Sequence, residues 1–203
     1  MRLLILFVLL FGAGAAKADP PTILVWGDSI SAGYGIRVAQ GWVALLQAKL
    51  HDAGYGYQVI NASISGETTA GGLARLPRAL ALHHPQVVVL ELGGNDGLRA
   101  LPVSEMQENL ARMVSLAKSA GARVLLLGMF VPPNYGPEYT AQFRRTFDDL
   151  AQSQHVAFVP FLLNDIALTP ALMQADGIHP NESGQPKVLA NVWPALLPLL
   201  QHP

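Results

Sequence analysis

The stretch QVVVLEL at residues 86–92, which Gly93-Gly94 follow, decides the fold class predicted for this chain. It is a continuous apolar run rather than an alternation of apolar and polar positions, and such runs are typical of parallel strands buried on both faces. Shorter β-rich runs predict four more strands, at residues 22–26, 57–60, 123–127 and 156–159.

Predicted helices alternate with these strands. The spacing of Trp42, Leu46 and Leu50 indicates an amphipathic helix that ends near Gly54. Further helices are predicted over residues 68–82, over a long segment from Val103 to Ala117 that ends at Gly121, over residues 140–153, and over a last segment that contains residues 194–200. This alternation predicts one α/β domain, a three-layer α/β/α sandwich with about five parallel strands. Ligands bind beyond the carboxyl ends of the strands in such sheets.

The composition restricts the kinds of protein to consider. The chain has 203 residues and a formal net charge of −1, with 13% charged and 51% hydrophobic residues. This balance gives no electrostatic attraction to nucleic acid or to an anionic membrane surface, and the apolar content argues against intrinsic disorder. The sequence contains no cysteine, which excludes disulfides, zinc–thiolate sites and a thiol nucleophile.

Residues 1–18 have the pattern of a secretory signal peptide. Arg2 supplies the positive charge, residues 3–11 are uninterrupted apolar residues, and Ala16-Lys17-Ala18 matches a cleavage site. A retained anchor is the alternative, but the apolar stretch falls short of the ~20 residues that a membrane-spanning helix needs. We therefore expect cleavage after Ala18, one folded domain at residues 19–203, no stable membrane insertion afterwards, and a periplasmic or secreted location.

Ser29, Asp176 and His179 have the side chains that nucleophilic catalysis requires. Ser29 follows the first predicted strand, and Asp176 and His179 lie three residues apart ahead of the last helix. A serine hydroxyl is a poor nucleophile until a base accepts its proton, and the base needs a partner that fixes its tautomer. The spacing lets the Asp176 carboxylate bond one imidazole nitrogen of His179 while the other nitrogen faces the serine.

A developing oxyanion needs hydrogen-bond donors that are already in place. The candidates are the backbone N–H groups of Ser29 and Gly66 and the side-chain amide of Asn95, and glycine at position 66 permits a close approach of the backbone. Each motif also has an ordinary interpretation, since Gly-Asp-Ser and Gly-Asn-Asp are common in turns and Asp-x-x-His can be a helix cap beside a surface histidine. Catalysis is favoured because all the motifs fall at one predicted edge of the sheet.

These motifs resemble the conserved blocks of the GDSL/SGNH hydrolase family. The chain carries them in order as GDSI at residues 27–30, Gly66 within NASISGET, GND at residues 94–96 and DGIHP at residues 176–180. Isoleucine at position 30 replaces the usual leucine. Within the family, the chain is similar to bacterial multifunctional esterases with thioesterase, protease and lysophospholipase activities, and to related arylesterases.

The resemblance implies a flavodoxin-like sheet and a catalytic triad of Ser29, Asp176 and His179. It also implies an oxyanion hole of Ser29, Gly66 and Asn95, and neither a metal nor a cofactor. The expected substrate is a small-molecule acyl ester or thioester, such as an aryl ester, an acyl-CoA or a lysophospholipid.

The substrate cleft is expected to have an apolar lining. In relatives, the segment equivalent to residues 73–82 moves to admit long acyl chains, and we expect the cleft to be lined by Leu76, Pro77, Pro133 and Tyr135. Two alternatives remain open: a carbohydrate-ester deacetylase of the same fold, and a non-catalytic periplasmic module that binds lipid. We expect a monomer that does not bind nucleic acid.

Overall fold

One five-stranded parallel sheet organises the protein in the computed structural model, which describes residues 20–201. The strands are β1 (Thr22–Gly27), β2 (Gln58–Asn61), β3 (Val87–Glu91), β4 (Arg123–Leu127) and β5 (Ala157–Val159). Their order is β2-β1-β3-β4-β5, which is the flavodoxin-like order. The predicted strands match the observed ones to within one residue at either end. The predicted signal peptide and its cleavage site lie outside the described residues.

Seven α-helices connect and cover the strands within the described part of the chain. They are α1 (Ser29–Ala32), α2 (Trp42–Asp52), α3 (Thr69–His83), α4 (Gly94–Leu98), α5 (Val103–Ser119), α6 (Pro137–Gln154) and α7 (Gln185–Leu196). Helices α2 and α7 pack together on one face of the sheet, and α3, α5 and α6 pack in sequence on the other. The predicted α/β/α sandwich is therefore confirmed.

The centre of the sheet is fully enclosed by the helices. Every residue of β1 and of β3 is buried, which explains why these strands read as continuous apolar sequence. Trp26 of β1 donates its indole N–H to the carbonyl of Gly72 in α3, so this large side chain also satisfies its polar atom inside the core. The carboxyl ends of these two strands are therefore supported by a fully buried core.

The last helix differs from its prediction, which placed residues 194–200 in it. Helix α7 begins at Gln185, with Pro186 in its first turn, where the missing N–H of proline costs nothing. Pro194 lies near the other end of the helix, and the chain tightens into a 3₁₀ turn at Leu197–Leu199 soon after it. Helices α1 and α4 were also not predicted, because each forms within sequence that has the composition of a turn.

None of the helices between residues 20 and 201 combines the length and the apolar character that crossing a membrane demands.

Gly128 is a position where the fold requires the absence of a side chain. Its N–H donates to Val159 at 2.8 Å and its carbonyl accepts from Leu162 at 2.9 Å, so the chain after β4 lies directly against the chain after β5. A Cβ at position 128 would overlap the carbonyl oxygen of Pro160, a backbone atom that no side-chain rotation can displace.

We expect Gly128→Ala to lower the free energy of unfolding by about 1–3 kcal/mol, the range for overpacking a close contact. Gly56→Ala is the matched control because a Cβ there meets open space, and its effect should stay within about 0.5 kcal/mol. Urea denaturation followed by circular dichroism measures both. Equal stability of the two variants would contradict this account of the β4–β5 junction.

Candidate active site

Ser29 stands at the carboxyl end of β1, on the first residue of α1. Asp28 caps this short helix, because its Oδ1 accepts from the N–H of Ile30 at 3.1 Å. The cap turns the chain sharply after Gly27. The Ser29 side chain therefore lies at the open edge of the sheet rather than in the core.

The structure brings Ser29, His179 and Asp176 into one chain of hydrogen bonds. Ser29 Oγ lies 2.8 Å from His179 Nε2, and His179 Nδ1 lies 2.6 Å from Asp176 Oδ2. Both distances are normal or short for such bonds. Residues that are 150 positions apart in the sequence thus meet directly.

The segment that carries the histidine is fastened by hydrogen bonds to its own backbone and to the segment that follows α1. Asp176 Oδ1 accepts from the N–H groups of Ile178 and His179 at 2.9 and 3.1 Å, which fixes the turn between the two side chains. Gln174 donates its side-chain amide to the carbonyl of Tyr34 at 2.7 Å. The ring of Tyr34 lies 4.7 Å from the ring of His179, measured between centroids.

The protonation of Asp176 determines the tautomer of His179. Burial alone would raise the pKa of Asp176, but hydrogen bonds from the His179 side chain and from the N–H groups of Ile178 and His179 outweigh it and lower this pKa to about 2. An ionised carboxylate only accepts hydrogen bonds, so the neutral imidazole carries its hydrogen on Nδ1. Nε2 then presents its lone pair to the Ser29 hydroxyl.

Two further predicted residues, Gly66 and Asn95, line the same cleft as Ser29 and His179. Asn95 lies in α4, and its amide donates one hydrogen to Asp28 Oδ2 at 3.0 Å. Gly66 has a φ of +80°, and its carbonyl accepts from Arg99 at 3.0 Å. Within residues 20–201, neither the N–H of Ser29 nor that of Gly66 has a hydrogen-bond acceptor. Both groups are free to receive a negatively charged oxygen.

The cleft around these groups has a volume of about 230 Å³. Its apolar lining comes from side chains that lie beside the polar residues, namely Ile30, Tyr34, Leu98, Met129 and Ile178. No group of three or more His, Asp or Glu side chains suited to a metal ion occurs in the described part of the chain.

The four residues predicted to line the cleft lie elsewhere. Leu76 is fully buried in the core because the inner face of α3 packs on the sheet, and Pro77 is exposed on the outer face of that helix. Pro133 and Tyr135 belong to a 3₁₀ turn after β4, where the Tyr135 hydroxyl donates to the carbonyl of Leu98 at 2.7 Å. Tyr135 therefore holds the segment that carries Leu98, a residue of the cleft wall, without lining the cleft itself.

The sequence does contain signals for most of the observed lining. Ile30 and Ile178 are neighbours of candidate catalytic residues, and Met129 follows β4 at the same sheet edge. Leu98 is one helical turn beyond Asn95. Tyr34 follows α1, and its N–H donates to the carbonyl of Ser29 at 3.0 Å. Its carbonyl accepts from Gln174, which is 140 positions away in the sequence, and this contact has no local signal.

A buried pair of carboxyl groups, Asp28 and Glu91, lies beneath the cleft. Glu91 Oε2 accepts from the N–H of Asp28 at 3.1 Å and from the hydroxyl of Ser31 at 2.7 Å. Burial raises the pKa of Glu91 well above its ordinary value, and the charge of Asp28 raises it further. Burial also raises the pKa of Asp28 to about 6, although hydrogen bonds oppose this shift. The sequence contains one sign of this pair, the single carboxylate within the otherwise apolar strand β3, which the prediction from sequence did not use.

Comparison with known proteins identifies a family and close relatives. The sequence model described as the GDSL-like lipase/acylhydrolase family matches residues 25–186. The esterase TesA of Pseudomonas aeruginosa is 55% identical, over 91% of this chain and 92% of its own. Thioesterase 1/protease 1/lysophospholipase L1 of Escherichia coli (strain K12) is 41% identical, over 97% of this chain and 92% of its own.

A solved structure supports the same relationship. The crystal structure of the psychrotrophic esterase EstA from Pseudoalteromonas sp., inhibited by monoethylphosphonate, superimposes with a TM-score of 0.84. The two sequences are 41% identical, and the match covers 87% of this chain and 97% of that one.

The raised pKa of Glu91 makes the free energy of unfolding depend on pH in a predictable direction. A folded-state pKa above the ordinary value of 4.5 means that the folded protein holds a proton that the unfolded chain releases. This contribution to the free energy of unfolding is complete below the ordinary glutamate pKa of 4.5 and is lost as the pH rises toward the folded-state pKa.

Glutamine does not titrate, so Glu91→Gln lacks this loss of stability. The unfolding free energy of the variant minus that of the wild type should therefore rise as the pH increases above the ordinary glutamate pKa. The slope should not exceed about 1.4 kcal/mol per pH unit, the limit for one proton. Urea unfolding at several pH values measures it, with Glu108→Gln on the exposed face of α5 as the control. A Glu91→Gln curve parallel to the wild type would argue against a raised pKa.

Proposed function

The chain belongs to the GDSL-like lipase/acylhydrolase family and is a hydrolase, and we propose that it cleaves carboxylic esters and thioesters through an acyl-enzyme on Ser29. The single observation that carries the proposal is the hydrogen-bonded chain from Ser29 Oγ through His179 to Asp176, with contacts of 2.8 and 2.6 Å. Gly66 and Asn95 beside it complete the groups that acyl transfer needs.

The reaction proceeds in two half-reactions that use the same groups. His179 Nε2 accepts the proton of the Ser29 hydroxyl while Oγ attacks the substrate carbonyl carbon. The negative oxygen receives hydrogen bonds from the N–H groups of Ser29 and Gly66 and from the Asn95 amide. The bond to the leaving oxygen or sulfur then breaks, and His179 gives that atom the proton.

Water completes the cycle by the same route. His179 takes a proton from water as its oxygen attacks the acyl carbon, and the second tetrahedral intermediate collapses to release the carboxylic acid. Ser29 recovers its proton from His179. Asp176 stays ionised throughout, in keeping with its lowered pKa, and stabilises the imidazolium that forms twice in each cycle.

The substrate class follows from the lining of the cleft and from the relatives. Apolar side chains such as Leu98, Met129 and Ile178 suit an acyl chain better than a sugar or a phosphate. The names of the relatives, which include esterase, thioesterase and lysophospholipase, support esters, thioesters and lysophospholipids as candidate substrates. Among esters and thioesters, we propose aryl esters and acyl-CoA. Hydrolysis rates for p-nitrophenyl esters and acyl-CoA substrates of graded chain length will rank them.

The proposed setting of the reaction is the periplasm or the medium, because the sequence at residues 1–18 has the pattern of an export signal. We propose that the exported protein acts as a monomer on small molecules, without nucleic acid and without stable membrane insertion. Its net charge of −1 agrees with this proposal, because it gives no electrostatic attraction to nucleic acid or to an anionic membrane surface.

Ser29→Ala should remove measurable ester hydrolysis and leave the fold intact, because the nucleophile is lost while its neighbours keep their contacts. Wild-type protein should also form a covalent adduct with a fluorophosphonate probe, located at Ser29 by peptide mass spectrometry. Ser115→Ala, an exposed serine on α5, is the matched control for both measurements. Hydrolysis by Ser29→Ala at the wild-type rate would refute the assignment, and a protein that binds acyl chains without reacting would remain unlabelled.

Asn95→Ala should lower kcat/KM by an amount equivalent to ~2.7–4 kcal/mol of transition-state stabilisation, the range for one oxyanion donor. Steady-state kinetics on a p-nitrophenyl ester measures the change. Asn164→Ala, at an exposed position, serves as the control and should leave the rate unaltered. An unchanged rate for Asn95→Ala would remove this residue from the oxyanion site.

A further inference from the structure

The Asp28–Glu91 pair is the one buried charged cluster near the cleft that the proposed reaction does not use, among the described residues. Asp28 is 2% exposed and Glu91 is fully buried. The pair occupies the junction of the two central strands, since Gly27 of β1 is paired in register with Glu91 of β3. A Cβ on Gly27 would overlap Glu91 Oε2, so the glycine makes room for this carboxyl group.

No lysine or arginine is paired with these two carboxyl groups within the part of the chain that the structure describes, because the ion pairs there involve other carboxylates. The charge of His179 favours the ionised form of Asp28, whereas the charge of Asp28 disfavours ionisation of Glu91. Two adjacent carboxylates buried without a lysine or arginine beside them cannot both ionise at modest cost. One proton must therefore stay on the pair near neutral pH.

The hydrogen bonds indicate which carboxyl group holds that proton. Asp28 receives a donor on each oxygen, from the N–H of Ile30 at 3.1 Å and from the Asn95 amide at 3.0 Å. Glu91 Oε2 also receives donors, but its Oε1 is buried and has no hydrogen-bond partner. A buried carboxylate oxygen that accepts no hydrogen bond disfavours the ionised form of Glu91. Besides the effect of burial on both groups, a hydrogen bond between the two carboxyl groups lowers the pKa of Asp28 and raises that of Glu91, so Glu91 is the neutral member and donates to Asp28.

We propose that Glu91 is a positioning residue that carries the proton of the pair, which leaves Asp28 ionised to hold the Asn95 amide in the orientation that the oxyanion requires. This inference rests on the proposed function, because it gives Asn95 the part of an oxyanion donor. One amide hydrogen of Asn95 is committed to Asp28, and the other is then directed into the cleft that Asn95 lines.

The charge state of Asp28 matters because a bond to an ionised acceptor is about twice as strong as a neutral one. If Glu91 were ionised, repulsion would move the proton to Asp28 or separate the two carboxyl groups, and either change would loosen Asn95. The pKa values agree with a proton on Glu91 and a charge on Asp28. The pKa of Glu91 rises well above its ordinary range, while the pKa of Asp28 reaches only about 6.

The test begins with two substitutions at Glu91. Glu91→Gln keeps a neutral group that both donates and accepts, and it should retain kcat on a p-nitrophenyl ester within about threefold, as a conservative replacement of a protonated acid. Glu91→Leu removes both capacities and should lower kcat by about tenfold or more with KM unchanged, because oxyanion contacts act in the transition state. Glu108→Gln on α5 is the matched surface control.

A double-mutant cycle separates positioning from a general structural effect. Glu91→Leu should have little further effect on kcat in the Asn95→Ala background, because the donor that it orients is already absent. The same loss in both backgrounds would overturn the proposal, and so would a loss in Glu91→Gln as large as that in Glu91→Leu. Failure of the proposed function itself has a different signature, which is activity that survives Ser29→Ala.

An infrared measurement tests the proton directly and does not depend on the folding of Glu91→Leu. The difference spectrum between wild type and Glu91→Gln at neutral pH should contain the carbonyl stretch of a protonated carboxylic acid. A spectrum that shows only carboxylate bands would overturn the assignment of the proton to Glu91, whatever the kinetic results.

Discussion

The parallel pairing of β1 with β3 is the constraint on which the rest of the site depends. Gly27 lies opposite Glu91, so the segments that follow the two strands leave the sheet side by side. Asp28 and Asn95 meet at 3.0 Å as a direct result. A slip of one residue in this register would turn the side chains of one strand to the opposite face of the sheet. The proposed nucleophile Ser29 and the proposed oxyanion donor Asn95 are therefore located by main-chain hydrogen bonds within the most buried part of the fold.

The proposed base, His179, is held in a different way. His179 lies on a loop outside the sheet, and its position depends on Asp176 within the loop and on the contact of Gln174 with Tyr34. The site thus combines a rigid part, formed by sheet register, with a part that a few side-chain hydrogen bonds secure. This division suits acyl transfer, in which the oxyanion donors must be fixed beforehand while the imidazole exchanges protons with serine, leaving group and water.

The sequence predicted the strands better than the lining of the cleft, for a physical reason. Burial on both faces leaves a continuous apolar run in β3 that is visible without any partner. The helical period of α3 was equally visible, but it does not reveal which face meets the sheet or how far the helix lies from Ser29. Leu76 was expected at the cleft and is in the core, whereas Tyr34 lines the cleft through a loop contact that has no local signal.

The sequence by itself determined the fold class and the strand ends, and it supplied the candidate site residues, because motif order and residue type are local properties. These candidates are Ser29, Gly66, Asn95, Asp176 and His179. Only the tertiary structure decided that Glu91 is buried against Asp28 with no lysine or arginine among the described residues paired to either group. Proton affinity in a protein depends on solvent exclusion and on neighbouring charges, and both arise only when separate strands come together. The same reason applies to the shape of the cleft, which is formed by side chains from five different segments.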